Sequence, residues 1–272
     1  MMKKLKATIA SVKSQGAATP SGPRIRPVPA VSRAIAILRL LGKMHTPMGV
    51  NAIAQALDLV PSTCLHILRA LTEEKLVAFD RTSKHYRLGA GMLSLARSAI
   101  EANAFPLLAQ PALDRLSTHW GVTAIGVDVS DPDQMVVVAL SRSNLPFRLH
   151  VDVGSVFPSL LSATGRLVAA FSGQPETEIK NRFEKLRWDK PLDYKVWNKE
   201  VLFAKKNQYS MDRNTYIAGV TIVAVPVLTP AGNISHTLVC ASLMDAINKT
   251  QLKTLIKEMQ GEARTIADQA FS

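Results

Sequence analysis

Cysteine is nearly missing from this chain. Only Cys64 and Cys240 occur among 272 residues, which excludes a disulfide framework and any thiolate metal centre, and suits a reducing compartment. Long apolar runs are missing too, since no stretch approaches the roughly 18 residues of a membrane-crossing helix. The opening MMKKLKATIASVKSQ begins like an export signal, but its apolar run is short and is broken by Lys13, so the expected location is the cytoplasm, with no membrane partner. The glycines at 121, 126 and 154 lack the G-x-G-x-x-G spacing of a nucleotide loop, and no nucleophile elbow is present. His119, His150 and His236 stand singly and read as surface or core histidines rather than catalysts or ligands. The expectation is therefore not an enzyme, with no cofactor and no metal.

Acid is absent from the amino end. Residues 1–30 carry Lys3, Lys4, Lys6, Lys13, Arg24 and Arg26 against no Asp or Glu. Residues 31–104 hold nine basic against five acidic side chains, and residues 105–272 eighteen against sixteen, so little of the total +12 belongs to the long carboxyl portion. This asymmetry is the footprint of a polyanion-binding module joined to a nearly neutral one. Gly16, Pro20, Gly22, Pro23, Pro27 and Pro29 interrupt the tail, which argues against a membrane-surface helix and for a basic, disordered segment over 1–30.

Residues 31–89 read as a winged helix-turn-helix that grips DNA. VSRAIAILRLLGKM and VNAIAQALDL are short amphipathic helices, Asp58-Leu59-Val60-Pro61 is the turn, and PSTCLHILRALTEEKL is the expected recognition helix. Helical spacing puts Cys64, Ile67, Leu68 and Leu71 on one side. Ser62, Thr63, Leu65, His66 and Arg69 then face outward, with hydroxyls and a guanidinium suited to phosphates and base edges and a Leu suited to a thymine methyl. In the following hairpin Tyr86 and Leu88 share the inward parity, while Arg81, Lys84 and Arg87 form a basic wing for backbone contacts. A small helical packing domain with a solvated charged face would show the same periodicity, and the charge distribution favours DNA over it.

Residues 90–104 keep helical spacing in GAGMLSLARSAIEANAF and predict a linker helix. A second helix over LLAQPALDRLSTHWG ends at a left-handed Gly121 cap, with Pro111 near its first turn or at a kink. The period then changes to that of strands. VTAIGVDVS and QMVVVALSR flank Asp131-Pro132-Asp133, FRLHVDVG is an edge strand, and VTIVAVPVL and ISHTLVCASLM flank Thr229-Pro230-Ala231-Gly232-Asn233. Helices are expected at SATGRLVAAFSG, PETEIKNRFEKL and VWNKEVLFAKKN, and from Thr250 to the end. The fold class is α+β with a mainly antiparallel sheet, not a Rossmann sheet.

Three segments in order, ALDLVPSTCLHILRALTEEKLV with HYRLG, VGSVFPSLLSATGRLVAAF, and QYSMDRNTYIAGVTIVAVPV followed by CASL, resemble the IclR family of bacterial transcriptional regulators from residue 31 to the end. The resemblance implies a winged helix-turn-helix over 31–89, a linker helix over 90–104 and a GAF-like effector-binding domain over 105–272, dimeric or tetrameric on a pseudo-palindromic operator in double-stranded DNA. It also implies an effector pocket formed by Ser162, Ala163, Thr164, Gly165, Asp212, Ile222, Cys240 and Ser242. Free N–H groups at the start of the SATGRL helix would favour an anion such as a carboxylate. Ordinary capping by Ser162 and a turn aspartate accounts for the same residues about as well.

The chain departs from the family pattern at several positions. Ile222 stands where cysteine is common, Cys240 where serine is frequent, Asn214 and Thr215 where acids are usual, Arg166 in place of lysine, and Leu65 and His66 in place of His and Arg. From Ile222 together with the apolar run Val156, Phe157, Leu160 and Leu161, the expected effector is a small organic acid larger than two carbons, such as an aromatic acid. Two other readings stay open: a sensor whose winged helix binds protein, and a small-molecule transferase with a winged-helix dimerisation domain.

Overall fold

A computed structural model describes residues 28–44, 46–101, 103–142, 151–186 and 192–272. Nearly all of the basic tail, His150 and half of the edge strand expected at 147–154 lie outside these residues. The chain divides into two units, Met1–Ala102 and Asn103–Ser272.

In the first unit α1 (Pro29–Met44), α2 (Val50–Leu57) and α3 (Pro61–Glu73) pack around Ile37, Leu41, Ile53, Ala54, Cys64, Leu68 and Leu71. A two-residue strand β1 (Met48–Gly49), unseen in the sequence, pairs with β3 (His85–Leu88), which pairs in turn with β2 (Val77–Asp80) in the order β1-β3-β2. Val77 and Tyr86 close the core from the sheet side. α2 stops because Asp58 turns left-handed, at φ 55°, and α3 starts with Pro61, which has no N–H to leave unpaired at that position. The hairpin returns onto the end of α3, where Gly89 N–H donates to Leu76 O and Gly91 N–H to Lys75 O. α4 (Gly91–Glu101) follows, with Leu93 and Leu95 exposed.

The second unit is an α+β layer pair. α5 (Phe105–Trp120) leads into a six-stranded antiparallel sheet of β4 (Thr123–Asp128), β5 (Gln134–Ser141), β6 (Val156–Pro158), β7 (Ser210–Arg213), β8 (Val220–Leu228) and β9 (Ile234–Leu243), ordered β6-β5-β4-β9-β8-β7. The helices α6 (Ser162–Phe171), α7 (Glu176–Lys185) and α8 (Tyr194–Asn207) cover one face, and α5 with α9 (Lys249–Ala270) the other. Strand parity assigns each side chain to its layer: Ile222, Ala224, Val239 and Ala241 join the α6 layer, whereas Val223, Val225, Leu238 and Cys240 join the α9 layer. Among the described residues no helix is long and apolar enough to cross a membrane.

The structure departs from the sequence reading in three places. The edge strand lies at Val156–Pro158 rather than over 147–154, where the described residues Val151–Gly154 form a turn with Gly154 at φ 87°. Pro111 sits in the interior of α5 and not in its first turn. Pro111 and Leu107, the residue whose carbonyl loses its donor, are both exposed, so the break falls on the outer side of the helix. Ser210–Arg213 forms a strand to which the sequence assigned no element, paired with β8 so that Asp212 stands opposite Ile222.

Candidate functional site

The α3 stripe expected to face outward is largely in solvent. Ser62, His66 and Arg69, spaced by four and three residues, are exposed together on one face, and Thr63 is half-buried. Leu65 departs from the expectation: it is half-buried and packs against the first-unit core, because the helix also rests on neighbours to the side of its main apolar stripe. Arg81, Lys84 and Arg87 are all exposed on the hairpin. Asp80 shapes the turn between the strands, its carboxylate accepting from Ser83 Oγ at 2.8 Å and from Thr82 N–H at 2.8 Å. These hydrogen bonds hold Asp80 below the usual carboxylate range. Lys84 follows in the left-handed region at φ 60°. A rigid loop thus presents two cations at its tip, and Arg87 is added from the outward parity of β3.

The residues expected in the effector pocket fall on two faces of the sheet. Ser162, Ala163, Thr164 and Gly165 open α6 and are all buried. Ile222 faces the same layer, but Cys240 and Ser242 are paired with Val223 and Thr221 and so point to the opposite face of the sheet. There they border a void of about 10 Å³, room for one water and not for a metabolite. Burial pushes the Cys240 thiol up, which leaves it inert. On the α6 side the matching positions are Val239 and Ala241, so the wall is less polar than the resemblance implied.

Asp212 reaches the α6 layer but is already engaged. Its Oδ1 accepts from the N–H groups of Thr215 at 3.2 Å and Tyr216 at 3.1 Å, and its Oδ2 accepts from Arg166 Nη1 at 3.3 Å. Arg166 also donates to Glu200 Oε2 at 2.6 Å and to Ser162 O at 2.8 Å. Asp212 and Arg166 are 1% and 3% exposed, and Glu200 is 45% exposed. Arg166 therefore ties α6, α8 and β7 into one hub. Nothing in the sequence pointed to this hub beyond an arginine at a helical, otherwise apolar position.

The start of α6 leaves polar groups without partners inside the fold. Ser162 adopts φ 56°, a left-handed conformation uncommon for a residue with a side chain. Its hydroxyl is buried and has no hydrogen-bond partner. The first intrahelical bond runs from Gly165 N–H to Leu161 O, so the N–H groups of Ser162, Ala163 and Thr164 lie ahead of the ladder. Gly165 is needed for the approach: a Cβ there would fall 2.0 Å from Leu160 C. An orphan hydroxyl beside free amide donors at a helix amino end attracts anions.

The description "IclR helix-turn-helix domain" matches residues 30–81, and "Bacterial transcriptional regulator IclR C-terminal" matches residues 100–268. The probable transcriptional regulator SauR of Cupriavidus necator is 27% identical over 205 residues, 73% of this chain and 80% of that one. An IclR-type transcriptional regulator from Alicyclobacillus acidocaldarius has a solved structure that matches 90% of this chain and 100% of its own, with a TM-score of 0.78 and 24% identity. The structure of an IclR homolog from Microbacterium hydrocarbonoxydans complexed with 4-hydroxybenzoate matches 88% of this chain and 99% of its own, at a TM-score of 0.72 and 15% identity.

Proposed function

The chain belongs to the IclR family of bacterial transcriptional regulators, and on that premise we propose a cytoplasmic repressor or activator whose α3 stripe reads DNA and whose second unit answers to a small aromatic acid. The observation that carries the DNA half is the joint exposure of Ser62, His66 and Arg69 on one helical face beside a wing bearing Arg81, Lys84 and Arg87. A recognition helix enters the major groove, with hydroxyls and guanidinium in reach of base edges and wing cations on phosphates. Leu93 and Leu95 on α4, 72% and 57% exposed, favour a homodimer that covers them, which would set two recognition helices about 34 Å apart on a pseudo-palindrome.

Gel shifts at graded salt test this reading. Affinity for a footprinted genomic duplex is expected to fall steeply as salt rises. Arg87→Ala should lower the log-log salt slope by roughly 1 and weaken all duplexes alike, whereas Arg69→Ala should cost about 1 to 3 kcal/mol at the preferred site alone. Salt-independent binding would favour a protein partner instead.

For the effector, support comes from the orphan Ser162 hydroxyl and free amides at the start of α6, which packs in the same layer as the apolar Ile222, Val239 and Ala241. The donors suit a carboxylate and the wall suits a ring. The relative bound to 4-hydroxybenzoate is of the same ligand class. Thermal melts with benzoates and with glyoxylate should stabilise the protein with the former only, by about 2.7 kcal/mol at a concentration 100 times Kd. A shift confined to glyoxylate would reject the aromatic assignment. Effector and DNA then communicate as a linkage, with a coupling of about 1 to 3 kcal/mol.

A further inference from the structure

The first turn of α5 is held by a polar cluster that the regulator reading leaves unused. Asn103, the first residue of the second unit, acts as a cap from one residue ahead of the N-cap Ala104, which itself makes no side-chain capping bond: its Oδ1 accepts from Phe105 N–H at 3.0 Å, an orphan donor of the helix's first turn. The other end of the amide contacts His236 on β9, with Asn103 Nδ2 3.3 Å from Nε2. Because Oδ1 is fixed by the cap, Nδ2 is the donor, and Nε2 must be the unprotonated acceptor. The neighbouring Ser235 Oγ, 3.1 Å from Nδ1, accepts from the proton carried there. The imidazole is therefore neutral, as one tautomer only.

The surroundings keep it so. Phe105 stacks on the His236 ring with centroids 3.9 Å apart and planes 14° apart. The phenyl ring can lie there because Gly126 offers no side chain: a Cβ at that position would come within 2.9 Å of Phe105 Cε1. Burial holds His236 below its ordinary 6.5. From β4, Asp128 Oδ2 stands 3.9 Å from Nε2, too far for a hydrogen bond and near enough to receive one after a small rotation. From β8, the residue opposite is Val227. The first turn of α5 carries no acidic group, and among the described residues the charge that acts on the ring is that of Asp128.

We propose that Asn103 and His236 form a proton-operated latch, in which protonation of Nε2 removes the acceptor for Asn103, hands the imidazolium to Asp128 and frees the cap at the start of α5. The proton comes from solvent and adds to Nε2, so two donors then face each other across 3.3 Å and must part. The latch sits where the chain leaves α4 and enters the effector unit, so acidification loosens the residues that anchor that entry. The sign follows from linkage: a histidine whose folded pKa is depressed contributes stability that is present above 6.5 and is lost as pH falls through the folded value.

Hydrogen exchange on the full chain tests the latch, followed on peptides covering 103–108 and corrected for the intrinsic pH dependence of exchange. Between pH 7.5 and pH 5 the Phe105 amide should exchange roughly fivefold faster, the weight of one ordinary hydrogen bond. In His236→Gln, whose amide oxygen can accept from Asn103 but does not titrate, the corrected rate should stay flat. In Asp128→Asn, whose amide oxygen can still accept from Ser130 N–H and Oγ as Oδ1 does, the acceleration should move to lower pH because the imidazolium has lost its counter-charge. An equal acceleration in His236→Gln, or none in the unaltered protein, overturns the proposal.

Discussion

Asp212→Ala is expected to lower stability by about 3 to 5 kcal/mol, because it leaves the Arg166 guanidinium buried without its inner partner. Arg166 is 3% exposed and Asp212 1%, so water cannot replace what is lost, and Glu200 at the rim answers only one edge of the guanidinium. The carboxylate also accepts from Thr215 and Tyr216, so the chain after β7 loses two backbone anchors at once. For a unit of this size the melting temperature should fall by roughly 10 °C or more. Replacing both partners, Arg166→Met with Asp212→Leu, should recover much of the loss, since an apolar pair leaves no buried charge unpaired. Calorimetry distinguishes the cases: a single variant that melts within about 2 °C of the parent, or a double variant no better than the single, would sink the hub as described.

Gly89→Ala should unseat the wing. A Cβ at Gly89 would stand 2.2 Å from Lys75 O and 3.0 Å from Lys75 C, and the clashing atoms are backbone rather than a side chain able to swing aside. The hairpin could admit the methyl only by breaking the Gly89 N–H to Leu76 O and Gly91 N–H to Lys75 O bonds that fasten it to the end of α3. Overpacking of this kind costs about 1 to 3 kcal/mol or more, and it falls on the unit that positions Arg81, Lys84 and Arg87. DNA affinity should drop at least tenfold while effector-induced stabilisation of the second unit is kept. Gel shift and thermal melting on the same preparation separate the two, and parent-like DNA binding would show that the wing root tolerates the methyl.

Much of the first unit was legible from periodicity because its elements are short and each buries one face. Cys64, Leu68 and Leu71 follow helical spacing, and Tyr86 follows strand parity, so the surface left over was readable by subtraction. Leu65 escaped that logic because a helix touched on two sides buries more than one stripe. In the second unit, strand positions were readable in VTIVAVPVL and ISHTLVCASLM but the facing was not. Both strands are buried on both sides, so hydrophobicity does not alternate and carries no sign of which face is which. The resemblance sets Cys240 and Ser242 beside Ile222, and the register puts them one residue out of phase with it. The Asp212 carboxylate read as free for a ligand because its partner Arg166 is 46 residues away, beyond any local pattern.

Charge placement, helix and strand periods and the order of the motifs belong to the chain alone, since each depends on residues close in sequence, and they settled an α+β regulator with its basic end forward. Which carboxylate is free, which sheet face meets α6 and which histidine is locked in one tautomer were decided in three dimensions, because each depends on a partner brought near only when distant strands pair.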